Sequence, residues 1–180
     1  MQVCNSNTGA KNIMTFEETG IDGCFIFRYT KDEDIRGDFS RLICKNNLAE
    51  MGIDFDVKQS SLAFNKHKNT ARGLHYQKEP HGENKIITCV SGRMDVFVLD
   101  LRDFKTIVTK RLDSSVSSRE LIYVPKYCAS GYITLEDNSY VLYFMDEYYH
   151  PESQEVVSLL REGIDIDLTG KDVIALERDI

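Results

Sequence analysis

Three side chains that could bind or convert a charged substrate lie within one polar stretch, ARGLHYQKEPHGENK (residues 71–85): Arg72, His75 and Lys85. A neutral imidazole can remove a proton beside a ketone, and a nearby ammonium group can stabilise the enolate that forms. Tyr143, further along the chain, supplies a phenol that can return a proton to the other face of the carbon. These residue types indicate an enolate reaction on a keto substrate.

Each of these residues also has a purely structural explanation, which the residues alone leave open. His75 can be a buried imidazole hydrogen-bonded to a carboxylate or carbonyl, and Tyr143 can be barrel packing. Lys85 can be a solvated turn residue. Arg36 and Arg72 can hold a diphosphate with their forked guanidinium groups, whereas Arg36 can equally pair with a neighbouring aspartate on the surface.

Metal chemistry and nucleotide-loop chemistry are not indicated. The four histidines, His67, His75, His81 and His150, never form the His-x-His pair that a cupin metal site needs. The sequence also has no G-x-S-x-G, no P-loop and no G-x-G-x-x-G motif. We therefore predict no metal site and no cofactor.

Composition narrows the class of protein. The 180 residues, 42% of them hydrophobic, suit one compact domain. A net charge of −7 argues against nucleic-acid binding, which depends on clustered cations. No apolar run is long enough to cross a bilayer and residues 1–20 lack signal-peptide features, so we predict a cytoplasmic protein without membrane contact. The five cysteines have no paired two-residue spacing, which predicts reduced, mostly buried thiols.

The spacing of apolar residues predicts the elements that position these side chains. Residues 1–20 are polar and form a predicted N-terminal extension, and residues 21–180 form a single predicted domain. Helical spacing predicts a helix over residues 39–52 and a helical turn in VVSLLRE. Strand-like segments are CFIFRYT, FDVKQSSLAF, KIITCV, MDVFVLDLR, TIVTKRL, ELIYVP, SGYITL and SYVLYFMDEYY. So many short strands predict an antiparallel sandwich or barrel.

Strand alternation predicts which side chains share a face. In RGLHYQ, a regular strand would place Arg72 on one face and His75 on the other. In YVLYFM, Tyr143 would share a face with Val141 and Met145. Polar groups on the inner face of a barrel are where a ligand would be held.

Several separated motifs occur in a characteristic order: D-x-R-G at 34–37, QSSLAFNKHKNTARGLHYQ at 59–77, Lys85, SGRMDVFVLDLR at 91–102, YVPKYCASGYITLED at 123–137 and YFMDEYYHPES at 143–153. Together they resemble the dTDP-4-dehydrorhamnose 3,5-epimerase family, with this chain as a divergent member. The resemblance runs from about Gly20 to the C-terminus. It implies a mainly β, cupin-like jelly-roll barrel with a few short helices, acting as a metal-independent homodimer.

The resemblance also implies catalytic roles for four residues. His75 would be the base, and Asp179 would orient it. Tyr143 would donate the proton, and Lys85 would stabilise the enolate oxygen.

Four further positions would contact the substrate, a nucleoside-diphosphate sugar. Arg36 and Arg72 would bind the diphosphate. Tyr149 would stack on the nucleotide base or shape its pocket, and Gln59 matches a ligand-contacting glutamine of the family.

Two substitutions depart from the family pattern at positions that would touch the substrate. Ser130 replaces the histidine of a G-F-A-H-G-F-like turn, which here reads KYCASGY, and the change could limit the reaction to one carbon or alter the sugar accepted. Arg41 replaces a base-contacting glutamate, and a guanidinium cannot accept the hydrogen bond that a carboxylate accepts. The usual Trp-Pro near the end is also absent.

The predicted function is therefore an epimerase that inverts C3, C5 or both in a nucleoside-diphosphate 4-keto (6-deoxy) sugar, in surface-polysaccharide or deoxysugar synthesis. Two alternatives remain open. One is a single-carbon epimerase or a 3,4-ketoisomerase of the same fold. The other is a barrel that binds a sugar nucleotide without converting it, although binding alone needs no acid and base.

Overall fold

The computed structural model describes residues 2–4 and 14–180. The elements in this part of the chain are β1 Gln2–Cys4, β2 Met14–Glu18, β3 Phe25–Thr30, β4 Asp32–Asp34, β5 Gly37–Phe39, α1 Lys45–Glu50, β6 Gln59–Asn65, β7 Ala71–Gln77, β8 Lys85–Ser91, β9 Arg93–Asp100, β10 Ile107–Asp113, β11 Ser118–Val124, β12 Cys128–Thr134, β13 Ser139–Met145, β14 Gln154–Val156 and a 3₁₀ turn Glu177–Asp179.

Two antiparallel sheets form the barrel. The larger has the order β1-β2-β3-β11-β8-β13-β6, and the smaller has the order β10-β9-β12-β7-β14. A separate hairpin joins β4 and β5. This arrangement confirms the predicted mainly β, cupin-like jelly roll.

The strands carry apolar side chains on both faces, which gives the molecule three hydrophobic layers. On β9, Val96 and Val98 face the cluster between the two sheets, whereas Phe97 and Leu99 face a cluster with the C-terminal segment. Successive side chains of a strand point to opposite faces, so each of these residues is buried. On the other side, Leu48 of α1 packs with aromatic side chains of the larger sheet.

The predicted helix and helical turn are wrong in extent. The helix covers only Lys45–Glu50, because Phe39 belongs to strand β5 and no side chain caps the helix start at Cys44. The segment predicted as a helical turn begins in β14 and then contains one hydrogen-bonded turn, in which the N–H of Arg161 donates to the carbonyl oxygen of Ser158 at 3.1 Å; its Val157 and Leu159 are buried in the core. No helix in residues 2–4 and 14–180 has the length and apolar character needed to span a membrane.

Strand β2 lies inside the stretch predicted as an N-terminal extension. It pairs antiparallel with β3, and Met14 is fully buried against the larger sheet. The extension and the domain therefore share one sheet. Cys24, Cys89 and Cys128 are buried free thiols, as their prediction states, and burial raises the pKa of Cys24 and of Cys89 to about 11.

Strand β7 is irregular where it pairs with β12. Ser130 pairs with His75 and Tyr132 with Arg72, so β7 has one residue more than β12 between these two pairs. Such a bulge shifts the alternation by one position, and it places Arg72 on the same face as His75. The prediction that these two side chains lie on opposite faces is therefore wrong.

Glycines permit this bulge because the two backbones approach closely. Gly73 has a φ of +112°, and a Cβ there would lie 2.6 Å from the Cα of Gly131. A Cβ on Gly131 would lie 2.6 Å from the carbonyl oxygen of Arg72. Any larger residue would push β7 and β12 apart, which would displace both Arg72 and His75.

Candidate active site

A cavity lies between the two sheets and has two adjoining lobes, with volumes of about 240 and 280 Å³. The residues that line both lobes are His75, Lys85, Tyr143 and Gln154. One lobe, the Gln59 lobe, adds Gln59, Glu83 and Tyr149. The other, the Arg72 lobe, adds Arg72, Ser130 and Tyr132. Seven of the ten residues predicted for the site line this central cavity: Gln59, Arg72, His75, Lys85, Ser130, Tyr143 and Tyr149.

His75 is hydrogen-bonded to Asp179, an eighth predicted residue. The distance between His75 Nε2 and Asp179 Oδ1 is 2.9 Å, and Asp179 is only 2% exposed. The 3₁₀ turn holds this carboxylate in place, and the backbone N–H of Leu159 donates to the Asp179 carbonyl. With Nε2–H donated to Asp179, Nδ1 is the nitrogen free to act as a base.

Burial sets the protonation state of His75. Desolvation lowers the pKa of His75 below its usual value, and this effect outweighs the Asp179 carboxylate, which raises it. The positive charges of Lys85 and Arg178 lower it further. The imidazole is therefore neutral near pH 7, as a general base must be.

Tyr143 faces the cavity from the opposite sheet. It belongs to β13 of the larger sheet, whereas His75 belongs to β7 of the smaller one. Burial raises the pKa of Tyr143 well above its usual value, so its phenol is protonated. A base and an acid thus approach the same space from two sides, which is the geometry that inversion of a carbon requires.

Lys85, on β8 of the larger sheet, lines the same cavity, and two of its donors are already used. Its ammonium group is 2.9 Å from the Glu83 carboxylate and donates to the carbonyl oxygen of His75 at 3.2 Å. The side chains of Lys85 and Glu83 are 11% and 12% exposed. An ammonium group has three N–H donors, so one is left for a ligand oxygen in the cavity.

The substrate-contact candidates occupy the two ends of the cavity. In the Arg72 lobe, Arg72 Nε donates to Asn65 Oδ1 at 3.1 Å. In the Gln59 lobe, Gln59 Oε1 accepts the backbone N–H of Tyr149 at 2.6 Å, and the Tyr149 hydroxyl donates to Gln154. Gln59 therefore fixes the position of Tyr149, and Tyr149 is 55% exposed at the mouth.

Arg36 and Arg41 do not line the central cavity of their own chain. Arg36 lies on the β4–β5 hairpin, where its guanidinium pairs with Asp34 at 2.5 Å and its side chain is 85% exposed. Arg41 lies in the irregular segment between β5 and α1. Their substrate contacts stay predictions.

Comparisons with known proteins agree with this geometry. A family model described as dTDP-4-dehydrorhamnose 3,5-epimerase matches residues 18–180. The chain belongs to this epimerase family. One of its epimerases, from Mycobacterium tuberculosis (strain CDC 1551 / Oshkosh), is 28% identical over 158 residues, covering 86% of this chain and 77% of the relative.

Solved structures of the epimerase family share the fold. The Bacillus anthracis dTDP-4-dehydrorhamnose 3,5-epimerase, solved with TDP and PPi bound, has a TM-score of 0.86 at 26% identity, covering 92% of this chain and 96% of that chain. The Legionella pneumophila dTDP-6-deoxy-D-glucose-3,5-epimerase, solved with dTDP-4-keto-L-rhamnose, has a TM-score of 0.84 at 26% identity, covering 92% of this chain and 89% of that one.

Several residues that line the cavity were not among the predicted site residues, and three of them are polar side chains next to the predicted ones: Glu83, Tyr132 and Gln154. Glu83 precedes strand β8 and carries no sequence signal beyond its position two residues before Lys85. Gln154 follows the last motif quoted above. Tyr132 lies inside a quoted motif but was given no role in the site.

One cluster of metal-ligand side chains lies outside the cavity in the described part of the chain. His81, His150 and Glu152 bring their ligand atoms within 4.8 Å of one another. The two imidazole rings stack with centroids 3.5 Å apart and an interplanar angle of 13°. Ring nitrogens direct their lone pairs within the ring plane, so nearly parallel rings do not aim at one common point. This geometry is that of ring stacking rather than of a formed metal site.

Proposed function

We propose that this epimerase inverts C3, C5 or both in a nucleoside-diphosphate 4-keto-6-deoxy sugar. One observation carries the proposal: His75 and Tyr143 line the same cavity from opposite sheets, and Lys85 lines it with them. The base, the cation and the acid match proton removal, enolate stabilisation and proton return, respectively.

Each residue acts on one step. His75 Nδ1 takes the proton from the carbon beside the ketone, and the electrons of the broken C–H bond move to the ketone oxygen. The free N–H of Lys85 stabilises the resulting enolate oxygen. Tyr143 then gives its proton to the opposite face of the carbon, which inverts it. Repetition on the other side of the ketone inverts the second carbon.

The rest of the cavity supports a nucleotide-sugar substrate. Arg72 offers a guanidinium to a diphosphate in its lobe, and Tyr149 offers an exposed ring at the mouth for a nucleotide base. The Bacillus anthracis relative binds TDP and PPi. We also place the enzyme in the cytoplasm, in line with its buried free thiols.

One observation favours a narrower reaction. Ser130 lines the Arg72 lobe at the position where the family motif has histidine, and a short hydroxyl reaches less far into the cavity than an imidazole. Inversion of a single carbon is therefore the second candidate.

Isotope incorporation tests the proposal. The protein is incubated in D₂O with dTDP-, UDP- and GDP-linked 4-keto-6-deoxy sugars, and the sugars are read by mass spectrometry and NMR. We expect two deuterons per sugar for a double epimerase and one for a single-carbon enzyme. A product with a moved carbonyl would identify a ketoisomerase instead. Tight binding without deuterium in any sugar would contradict the proposal and identify a binding protein.

We further propose that the enzyme is a homodimer in which Arg36 serves the cavity of the other copy. The β4–β5 hairpin carries Arg36 between two highly exposed apolar side chains, Ile35 and Phe39. Strand β6 is a sheet edge, and its Leu62 and Phe64 are 59% and 46% exposed. Exposed apolar groups of this kind are typical of an interface.

Mixing two inactive variants tests this arrangement. If Arg36 acts across the dimer, subunit exchange between Arg36→Ala and His75→Asn proteins restores about a quarter of all sites. The control pair is Lys85→Met with His75→Asn, which share one cavity and should restore none. Sedimentation checks the dimer directly. A monomer, or equal recovery in both mixtures, would refute the arrangement.

A further inference from the structure

We propose that Tyr132 is a positioning residue for the acid Tyr143: its hydroxyl accepts a hydrogen bond from the neutral phenol and donates one to the phenolate left after proton transfer. The inference rests on the proposed function, since it assumes that Tyr143 is the proton donor. It concerns a residue of this chain's own, because the G-F-A-H-G-F-like turn of the family ends in Phe where this chain has Tyr132.

The two tyrosines meet at the floor of the Arg72 lobe. Their ring centroids are 6.4 Å apart at an angle of 43°, both side chains line this lobe, and each shifts the pKa of the other, which places the two phenols next to each other. Tyr132 is 1% exposed. A buried hydroxyl of this kind requires partners, and Tyr132 has a second one in Asn65.

Asn65 gives this network a fixed direction. Its Nδ2 faces the carbonyl oxygens of Ser139 and Ala63, at 3.3 and 3.4 Å. Its Oδ1 therefore faces the cavity, where it accepts from the Tyr132 hydroxyl at 3.0 Å and from Arg72 Nε at 3.1 Å. Because the proton of Tyr132 goes to Asn65, its oxygen is the acceptor for the Tyr143 phenol.

After proton transfer, the Tyr143 oxygen needs a hydrogen-bond donor instead of an acceptor. Burial raises the pKa of Tyr143, and the hydrogen bond that it donates to Tyr132 raises it further by stabilising the protonated form. Once the phenol proton has formed the new C–H bond, the O–H bonding electrons remain on Tyr143 as a phenolate. A buried phenolate without a donor would make this step unfavourable.

The Tyr132 hydroxyl can supply that donor without leaving another buried group unsatisfied. A hydroxyl rotates about its C–O bond, so its proton can turn from Asn65 to the phenolate. Asn65 Oδ1 then still accepts from Arg72. The charge of Arg72 also favours the phenolate, because it lowers the pKa of Tyr143. Before the next carbon is inverted, the phenolate regains a proton from water and the protonated His75 releases its proton to water.

Tyr132→Phe is the direct test, and its readout is the ratio of two rates in D₂O. His75 can exchange a substrate proton with solvent and return a deuteron to the same face, whereas epimer formation needs Tyr143. We expect epimer formation to fall about 10- to 100-fold, as for the loss of one hydrogen bond to a charged group. Exchange into unepimerised substrate should persist, so the exchange-to-epimerisation ratio rises. A merely structural role would lower both rates together.

Three further variants make the outcome decisive. Tyr140→Phe is the matched control, because Tyr140 lies on the same strand as Tyr143 and its ring packs against Phe64. Its exchange-to-epimerisation ratio should equal that of the wild type. Tyr143→Phe should lose epimerisation, and adding Tyr132→Phe should slow it no further. If Tyr143→Phe still epimerises at full rate, the proposed acid is wrong. If Tyr143→Phe fails while Tyr132→Phe keeps the wild-type ratio, only the role of Tyr132 is overturned.

Discussion

Replacing His75 by asparagine is expected to abolish both deuterium exchange and epimer formation, with rates at least about 10³-fold lower. The asparagine amide ends near the position of Nδ1, so it does not reach Asp179, and it has no basic nitrogen to accept a proton from carbon. Binding of the nucleoside diphosphate should change little, because the base acts on the sugar. Exchange by mass spectrometry and binding by calorimetry measure the two properties separately.

Two comparisons support the interpretation of that variant. His75→Ala should be equally inactive and less stable than the wild type, because it leaves the buried Asp179 carboxylate without its partner. His67→Ala, at an exposed position, should behave like the wild type. Full-rate exchange by the folded His75→Asn protein would remove His75 from the mechanism.

Replacing Lys85 by methionine should lower kcat by about 10²- to 10³-fold, as expected for loss of one group that stabilises a developing oxyanion. The methionine side chain retains most of the volume but cannot donate to the enolate oxygen. KM should change less than kcat, because the charge on the ketone oxygen develops only during the reaction. Steady-state kinetics on the keto sugar nucleotide measures both constants.

The partner of Lys85 complicates its replacement and also provides the control. Lys85→Met leaves Glu83 nearly buried without its cation, which destabilises the fold. Adding Glu83→Gln should recover stability without activity. Lys45→Met removes a solvent-exposed ion pair with Asp56 and should leave kcat unchanged. Recovered kcat in the Lys85→Met, Glu83→Gln protein would show that Lys85 serves only to neutralise Glu83.

Strand content and core could be predicted from the sequence because the pattern is strong and local. In MDVFVLDLR, every residue from Val96 to Leu99 is apolar, and both faces of β9 are buried. The predicted helix was too long because residues 39–44 have helical spacing of apolar residues but form a strand end and irregular chain. Leu42 and Ile43 reach the helix-side core from irregular chain.

Most residues of the candidate site could be predicted from the sequence, but their arrangement in space could not. Strand periodicity separated Arg72 from His75, and only the pairing of β7 with β12 reveals the bulge that brings them together. The ion pair between Glu83 and Lys85 depends on how a loop enters the barrel, which no local pattern encodes. The position of Arg36 likewise depends on contacts beyond its hairpin.

The hydrogen bond between His75 and Asp179 makes catalysis depend on a segment that lies outside the two sheets. Residues from Val157 to Asp179 have little regular structure of their own and dock on the smaller sheet through an apolar layer and a few backbone hydrogen bonds. Such a segment opens at a lower free energy than the strands beneath it. The turnover rate therefore depends on whether this segment is docked. It should fall at denaturant concentrations at which the barrel is still folded.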